Sequence, residues 1–110
     1  MAEEFLKKLG YRILFSNYRC RLGEIDIIAR DKKTICFIEV KTRSGREFGL
    51  PQESVTRQKQ KKLIRLALAF LKDKNLFEQS ARFDVVSIVS AQDDFAPEIE
   101  VFKNAFEIEE

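Results

Sequence analysis

Gly23-Glu24-Ile25-Asp26-Ile27-Ile28-Ala29, Arg30-Asp31-Lys32-Lys33 and Thr34-Ile35-Cys36-Phe37-Ile38-Glu39-Val40-Lys41 follow one another as two apolar, β-branched runs around a short charged turn. That pattern reads as a β-hairpin. Four charged residues, Glu24, Asp26, Glu39 and Lys41, fall inside the strands rather than at their ends. Side chains alternate faces along a strand, so Glu24 and Asp26 share one face while Ile25 and Ile27 share the other. The same parity groups Glu39 with Lys41 and opposes Val40. With Asp26 across from Glu39, three carboxylates and one ammonium converge on a patch whose opposed Cβ atoms stand about 4.5 to 5.5 Å apart. Carboxylates that close repel each other and require a cation.

Upstream of the hairpin, Phe5, Leu6 and Leu9 recur at helical spacing and Gly10 terminates them, which predicts a short helix over Ala2 to Leu9. Tyr11 to Phe15 alternates as a strand, and the polar, arginine-rich Asn17 to Gly23 reads as a turn. Downstream, Thr42 to Pro51 holds Ser44, two glycines and a proline and reads as a loop. Thr56 is the expected N-cap of a long helix to about Lys74, with Leu63, Leu66, Ala67, Phe70 and Leu71 as its buried stripe. Arg82 to Val89 is a β-branched strand, Ser90 to Pro97 a loop, and Glu98 to Phe102 a final edge strand; Phe106 and Ile108 pack near the end. The order helix, three strands, helix, two strands gives an α/β chain, more narrowly an α+β mixed sheet flanked by helices. The long helix is the crossover between the hairpin and the strand from Arg82.

The chain of 110 residues, 45% hydrophobic, suits one domain over residues 1–110 with one modest core. No apolar run reaches the length of a membrane span and no signal-peptide pattern opens the chain, so a cytoplasmic setting without a membrane partner is expected. Cys20 and Cys36 lack CxxC spacing, which argues against a zinc site or a disulfide framework; Cys36 reads as core. Histidine is absent. That excludes Ser-His-Asp and Cys-His chemistry and histidine-based metal centres.

The net charge of +2 is unevenly spread. Lys41, Arg43, Arg46, Arg57, Lys59, Lys61, Lys62 and Arg65 face only Glu47 and Glu53, whereas the tail from Asp93 is acidic. Cations in the first turns of a helix oppose its dipole at a cost of about 0.3 to 1 kcal/mol each. Crowding Arg57, Lys59 and Lys61 there points to phosphate contact, in which the exposed backbone N–H groups join the side chains. Lys62 and Arg65 read more readily as a solvated face, and the loop carrying Arg43 and Arg46 is as consistent with a connector as with a ligand contact.

Oxygen donors without histidine or thiolate favour Mg²⁺ or Mn²⁺, and Mg²⁺ usually takes one or two protein carboxylates. Asp26 and Glu39 match that habit. Lys41, on the same face, stabilises charge on a phosphate or orients and deprotonates water. Phosphodiester hydrolysis uses all of these parts. Surface strands also carry Glu and Lys as plain ion pairs, so the spacing alone leaves a structural reading open.

Asp26 followed by Glu39-Val40-Lys41 resembles the Asp…(Asp/Glu)-x-Lys signature of the restriction-endonuclease-like nucleases. Gly10-Tyr11-Arg12-Ile13-Leu14, Asn17-Tyr18-Arg19, Gly23-Glu24-Ile25-Asp26, Phe37-Ile38-Glu39-Val40-Lys41-Thr42-Arg43, Phe48-Gly49, Pro51, Lys59-Gln60 and Arg82-Phe83-Asp84 together resemble the small bacterial YraN-like family. That family is similar to archaeal Holliday-junction resolvases. The resemblance implies a restriction-endonuclease-like core and a Mg²⁺- or Mn²⁺-dependent DNA endonuclease acting on branched or junction DNA as a homodimer. By position it assigns Asp26 and Glu39 to the metal, Lys41 as catalytic lysine, Glu24 as auxiliary acid and Gln60, or else Gln58, as the polar residue from the following helix. Ile25 stands where such enzymes often have proline. The acid usual in the first helix falls before Ala2, leaving Glu3 or Glu4 as replacement. Asp84 reads as a salt-bridge partner of Arg82 or Arg43 at least as well as a site residue, and Tyr11 and Tyr18 read more readily as packing residues than as stacking partners of bases or sugars. Two other readings stay open: a nucleic-acid-binding module that keeps the fold without cutting, and an interaction domain whose strand charges are ion-paired.

Overall fold

The computed structural model describes residues 1–44, 55–90 and 97–106. Helix α1 spans Ala2–Lys8, strands β1, β2 and β3 span Arg12–Cys20, Gly23–Asp31 and Thr34–Ser44, helix α2 spans Arg57–Asp73, and strands β4 and β5 span Ala81–Ser90 and Glu98–Phe106. The sheet order is β1-β2-β3-β4-β5. All neighbours are antiparallel except β3 and β4, which run parallel. A parallel pair needs a long crossover, and α2 lies in it. This is the expected α+β mixed sheet flanked by helices, consistent with a restriction-endonuclease-like core. Among the described residues no helix is long and apolar enough to cross a membrane.

Each face of the sheet carries its own helix. The five stripe residues of α2 read from the sequence are its buried residues, and they pack on Ile25, Ile28, Ile35, Phe37, Phe83 and Val85. Phe70 is the hub, edge-on to Phe15, Tyr18 and Phe37 at 5.6, 5.3 and 5.8 Å between ring centroids. Ala2 and Leu6 of α1 cover the other face with Tyr11, Ile27, Ala29, Cys36, Ile38, Val86 and Ile88. Cys36 is core as expected, its thiol pushed up to about 12 by burial. Thr56 caps α2, its hydroxyl oxygen accepting the Lys59 N–H at 3.2 Å.

Several sequence expectations are corrected. Strand β1 continues through Asn17 to Cys20, where a turn had been expected, and only Arg21 and Leu22 form the turn into β2. As an edge strand β1 needs apolar packing at few positions, and Tyr18 on Phe70 supplies it. Thr42 to Ser44 extend β3 by pairing with Ile88 to Ser90, and β5 runs on to Phe106, whose ring stacks on Phe83 at 4.6 Å. The remainder of the expected 42–51 loop, most of the 90–97 loop, and Ile108 lie outside the described residues.

The expected parity of β2 also fails. Ile25 packs under α2 whereas Ile27 packs under α1. Regular alternation would put both on one face, so the strand changes course at Asp26. In β3 the parity holds: Phe37 faces α2, Val40 packs on the α1 side, and Glu39 and Lys41 reach toward α2.

Candidate active site

The departure at Asp26 begins where β2 and β3 part. Their ladder runs from Asp31 opposite Thr34 to Ile27 opposite Ile38. The next pair in that register is Asp26 with Glu39. There a side chain replaces the ladder: Asp26 Oδ2 accepts the Val40 N–H at 2.8 Å. The substitution satisfies an amide that the departing strand would leave bare, and it anchors Asp26 beside Glu39 at the mouth of the gap. Burial raises the Asp26 carboxyl above its ordinary value; the Val40 N–H opposes the rise and the Glu39 charge adds to it.

The Glu39 side chain is 11% exposed. Two ammonium groups approach the same oxygen, Oε1: Lys59 Nζ at 2.5 Å and Lys41 Nζ at 3.7 Å. Lys59 comes from the first turn of α2, and its ammonium and that of Lys41 share the one Glu39 oxygen. Burial works against the Lys59 charge, but its bonds to Glu39 and Lys41 outweigh burial and hold it above its ordinary value. The Lys59 neighbour, then burial, bring Lys41 below its own.

The expected convergence of three carboxylates is not found. Among the described residues no group of three or more acids, cysteines or histidines is placed to hold a metal ion. Glu24 stands opposite Arg19 in the β1–β2 ladder and pairs with it at 3.4 Å, because β2 beyond the break follows β1 rather than β3. Glu3 and Glu4 ride on α1, which covers the other face. Gln60 donates from Nε2 to the Val55 carbonyl at 2.9 Å, tying the entry of α2 to its own first turn.

Beside the lysine pair, a groove of about 680 Å³ lies between the β1–β2 turn and α2, with Leu22 and Glu24 on one wall and Gln58, Lys59, Lys61, Lys62 and Arg65 on the other. Gly23 lets the walls approach. Its φ is +142°, and a Cβ there would stand 2.8 Å from Lys62 Cε. Of the cations expected at a nucleic-acid surface, Lys59 and Lys61 line this groove, Arg57 is exposed at the first position of α2, and Arg46 and the Arg43 side chain lie outside the described residues. Lys62 and Arg65, read from the sequence as a solvated face, line it too. Their spacing from Lys59, three and six residues on, was the available signal, since such positions share one helix face. The Lys59 contact with Glu39 had no local signal.

Asp84 is the buried acid of the opposite face. It accepts from Tyr11 Oη at 2.8 Å, Arg82 Nε at 2.9 Å and the Asn104 N–H at 2.9 Å. Arg82 continues to Asp31 at 2.6 Å, and Lys103 joins Asp31 at 3.3 Å. Arg82 is thus the salt-bridge partner expected for Asp84, and Tyr11 and Tyr18 are packing residues in this structure.

A family profile described as "Uncharacterised protein family UPF0102" matches residues 1–88. A UPF0102 protein of Geobacter sulfurreducens is 48% identical over 108 residues, spanning 98% of this chain and 84% of the relative. One from Desulfosudis oleivorans is 50% identical over 106 residues, with 96% and 83% covered. Another from Geotalea uraniireducens is 51% identical over 104 residues, with 94% and 81% covered.

Proposed function

The chain belongs to the UPF0102 family, and for this member we propose a metal-dependent DNA endonuclease that hydrolyses phosphodiester bonds. The observation that carries the reading is the break between β2 and β3, which sets Asp26 and Glu39 side by side with Lys41 next to them and a cation-lined groove alongside. The donor set fits Mg²⁺ or Mn²⁺: two hard carboxylates of like charge, one of them bonded to the Val40 N–H and the other held by ammonium groups. When bound, such an ion supplies an acidified water and neutralises the leaving oxygen. Asp26 and Glu39 would hold it. Lys41 donates to a non-bridging phosphate oxygen, or takes the proton of the attacking water. Lys61, Lys62 and Arg65 draw the phosphate backbone along the groove. Action on branched or junction DNA and a homodimeric assembly belong to the same proposal and enter from the family resemblance; a cytoplasmic setting is proposed with them.

The test is cleavage of flapped and four-way DNA by the purified chain in Mn²⁺. Activity is expected, with loss in both Asp26→Ala and Glu39→Ala. Equal cleavage by either variant overturns the reading. The two-acid site also favours a second one, a nucleic-acid-binding module without turnover, because no third acid completes the cluster among the described residues. That reading expects salt-sensitive DNA binding, since phosphate contacts release counterions, and no product with any divalent ion.

A further inference from the structure

We propose that Lys59 is a stand-in cation, holding Glu39 in place of a divalent ion and passing to a substrate phosphate in the groove when that ion binds. The inference rests on the reading of Asp26 and Glu39 as metal ligands and adds a residue whose work is to change partners. Three observations carry it.

The first is the identity of the atom. Lys59 and Lys41 both address Glu39 Oε1, at 2.5 and 3.7 Å, so an ion bound at that oxygen competes first with the nearer ammonium, that of Lys59. The second is the difference in exposure within the pair. Glu39 is 11% exposed and the Lys59 side chain 37%, so the carboxylate is the fixed member and the ammonium already borders water. A long, flexible stem with a well-hydrated head is the type of side chain that can leave without dragging backbone with it. The third is where it goes. Lys59 also lines the groove with Lys61, Lys62 and Arg65, so a partner of opposite charge lying there receives it. Its backbone stays where it is, fixed by the Thr56 cap.

The contrast with Arg82 makes this a specific property rather than a general one. Arg82 is locked by Asp84, Asp31 and Tyr11 together. Among the described residues Lys59 pairs with one carboxylate. In the first turn of α2 its charge opposes the helix dipole, and Glu39 compensates it in the free protein. A phosphate does so once Glu39 is taken.

Competition of this kind lowers metal affinity in the wild type. Calorimetric titration of Mn²⁺ into the full chain is expected to give at least tenfold tighter binding for Lys59→Met, which keeps the stem and removes the charge, with binding abolished in Glu39→Gln. Equal or weaker binding by the folded Lys59→Met protein overturns the proposal while leaving the metal site standing. Lack of Mn²⁺ binding by both wild type and Lys59→Met overturns the proposal and the metal reading together. The handover has its own readout. In Ca²⁺, which occupies such sites without turnover, the salt dependence of DNA binding should lose about one unit of slope in Lys59→Met, as for one phosphate contact, and remain unchanged in EDTA. The same slope change in both conditions overturns the handover.

Discussion

Two clusters of acids and cations lie on opposite faces of the same sheet, and they begin from the same device. Asp26 accepts the Val40 N–H where β2 and β3 part; Asp84 accepts the Asn104 N–H where the β4–β5 register slips between Phe83 and Val85. From there they diverge. Asp84 has a side chain of 0% exposure, and Tyr11, Arg82 and Asn104 fill its acceptor sites from within the chain. Among the described residues Asp26 receives one N–H, and its neighbour Glu39 is held by side chains with solvent access. A cluster whose every lone pair is matched by the protein is architecture. One whose charge is matched by a removable group is suited to exchange partners, and that separates the two more surely than burial or residue type.

The largest effect expected from this contrast is on stability. Asp84→Ala leaves Arg82 in the network without its buried partner and should cost about 3 to 5 kcal/mol in denaturant melts. Mn²⁺ binding by the molecules that remain folded should be unaltered; a variant as stable as wild type would erase the distinction. Next is Lys41→Ala, expected to slow cleavage about 10²- to 10³-fold, or roughly 2.7 to 4 kcal/mol in the barrier, with a melting temperature close to wild type. A melt lowered as far as that of Asp84→Ala would place Lys41 with the architecture instead. Tyr11→Phe removes one of the hydrogen bonds to Asp84 and should cost about 1 to 3 kcal/mol, read from urea unfolding at neutral pH.

The smallest effect is the most diagnostic, because its sign differs between the clusters. Hydrogen bonds from Arg82 and Lys103 hold the Asp31 carboxyl below its ordinary value. Its contribution to stability is therefore present above the unfolded value of 3.8 and lost as pH falls from there through the depressed value. Burial raises Asp26, so its contribution is present below 3.8 and lost as pH rises through the elevated value. Asp31→Asn should accordingly be less stable than wild type at neutral pH and approach it in acid. Asp26→Asn should be the more stable protein at neutral pH, an advantage that disappears below 3.8. Matching signs in urea melts across this range would break the comparison.

What the sequence disclosed follows from the range of the interactions involved. The α2 stripe and its Thr56 cap are written in local spacing and both are present, whereas the β2–β3 register holds only as far as Ile27 opposite Ile38, one pair short of Asp26 and Glu39. Gly23 and the Lys59, Lys62, Arg65 series were equally local, but their meaning as two walls of one groove depends on the packing of α2 over the β1–β2 turn. The kink at Asp26 cannot be read from period-two alternation, because a side chain there substitutes for a backbone partner. Tyr11 to Asp84 and Lys59 to Glu39 join residues 73 and 20 positions apart. No window along the chain holds both ends of either bond. Glu24 was misplaced for a related reason: strand parity predicts a face, but the neighbouring strand determines the partner.

The parallel β3–β4 pair has a consequence for the order of assembly. Ile35 must find Ala81 across a long closed loop, while β1, β2 and β3 form a meander joined by short turns. Loop-closure entropy favours early formation of the meander. Asp26 and Glu39 both belong to it; Lys59 arrives only with α2. Until α2 docks, the meander therefore carries two neighbouring carboxylates with Lys41 alone to offset them, an electrostatic barrier that dissolved Mg²⁺ should lower. Stopped-flow refolding should accelerate with Mg²⁺ in the wild type and lose that acceleration in Asp26→Asn.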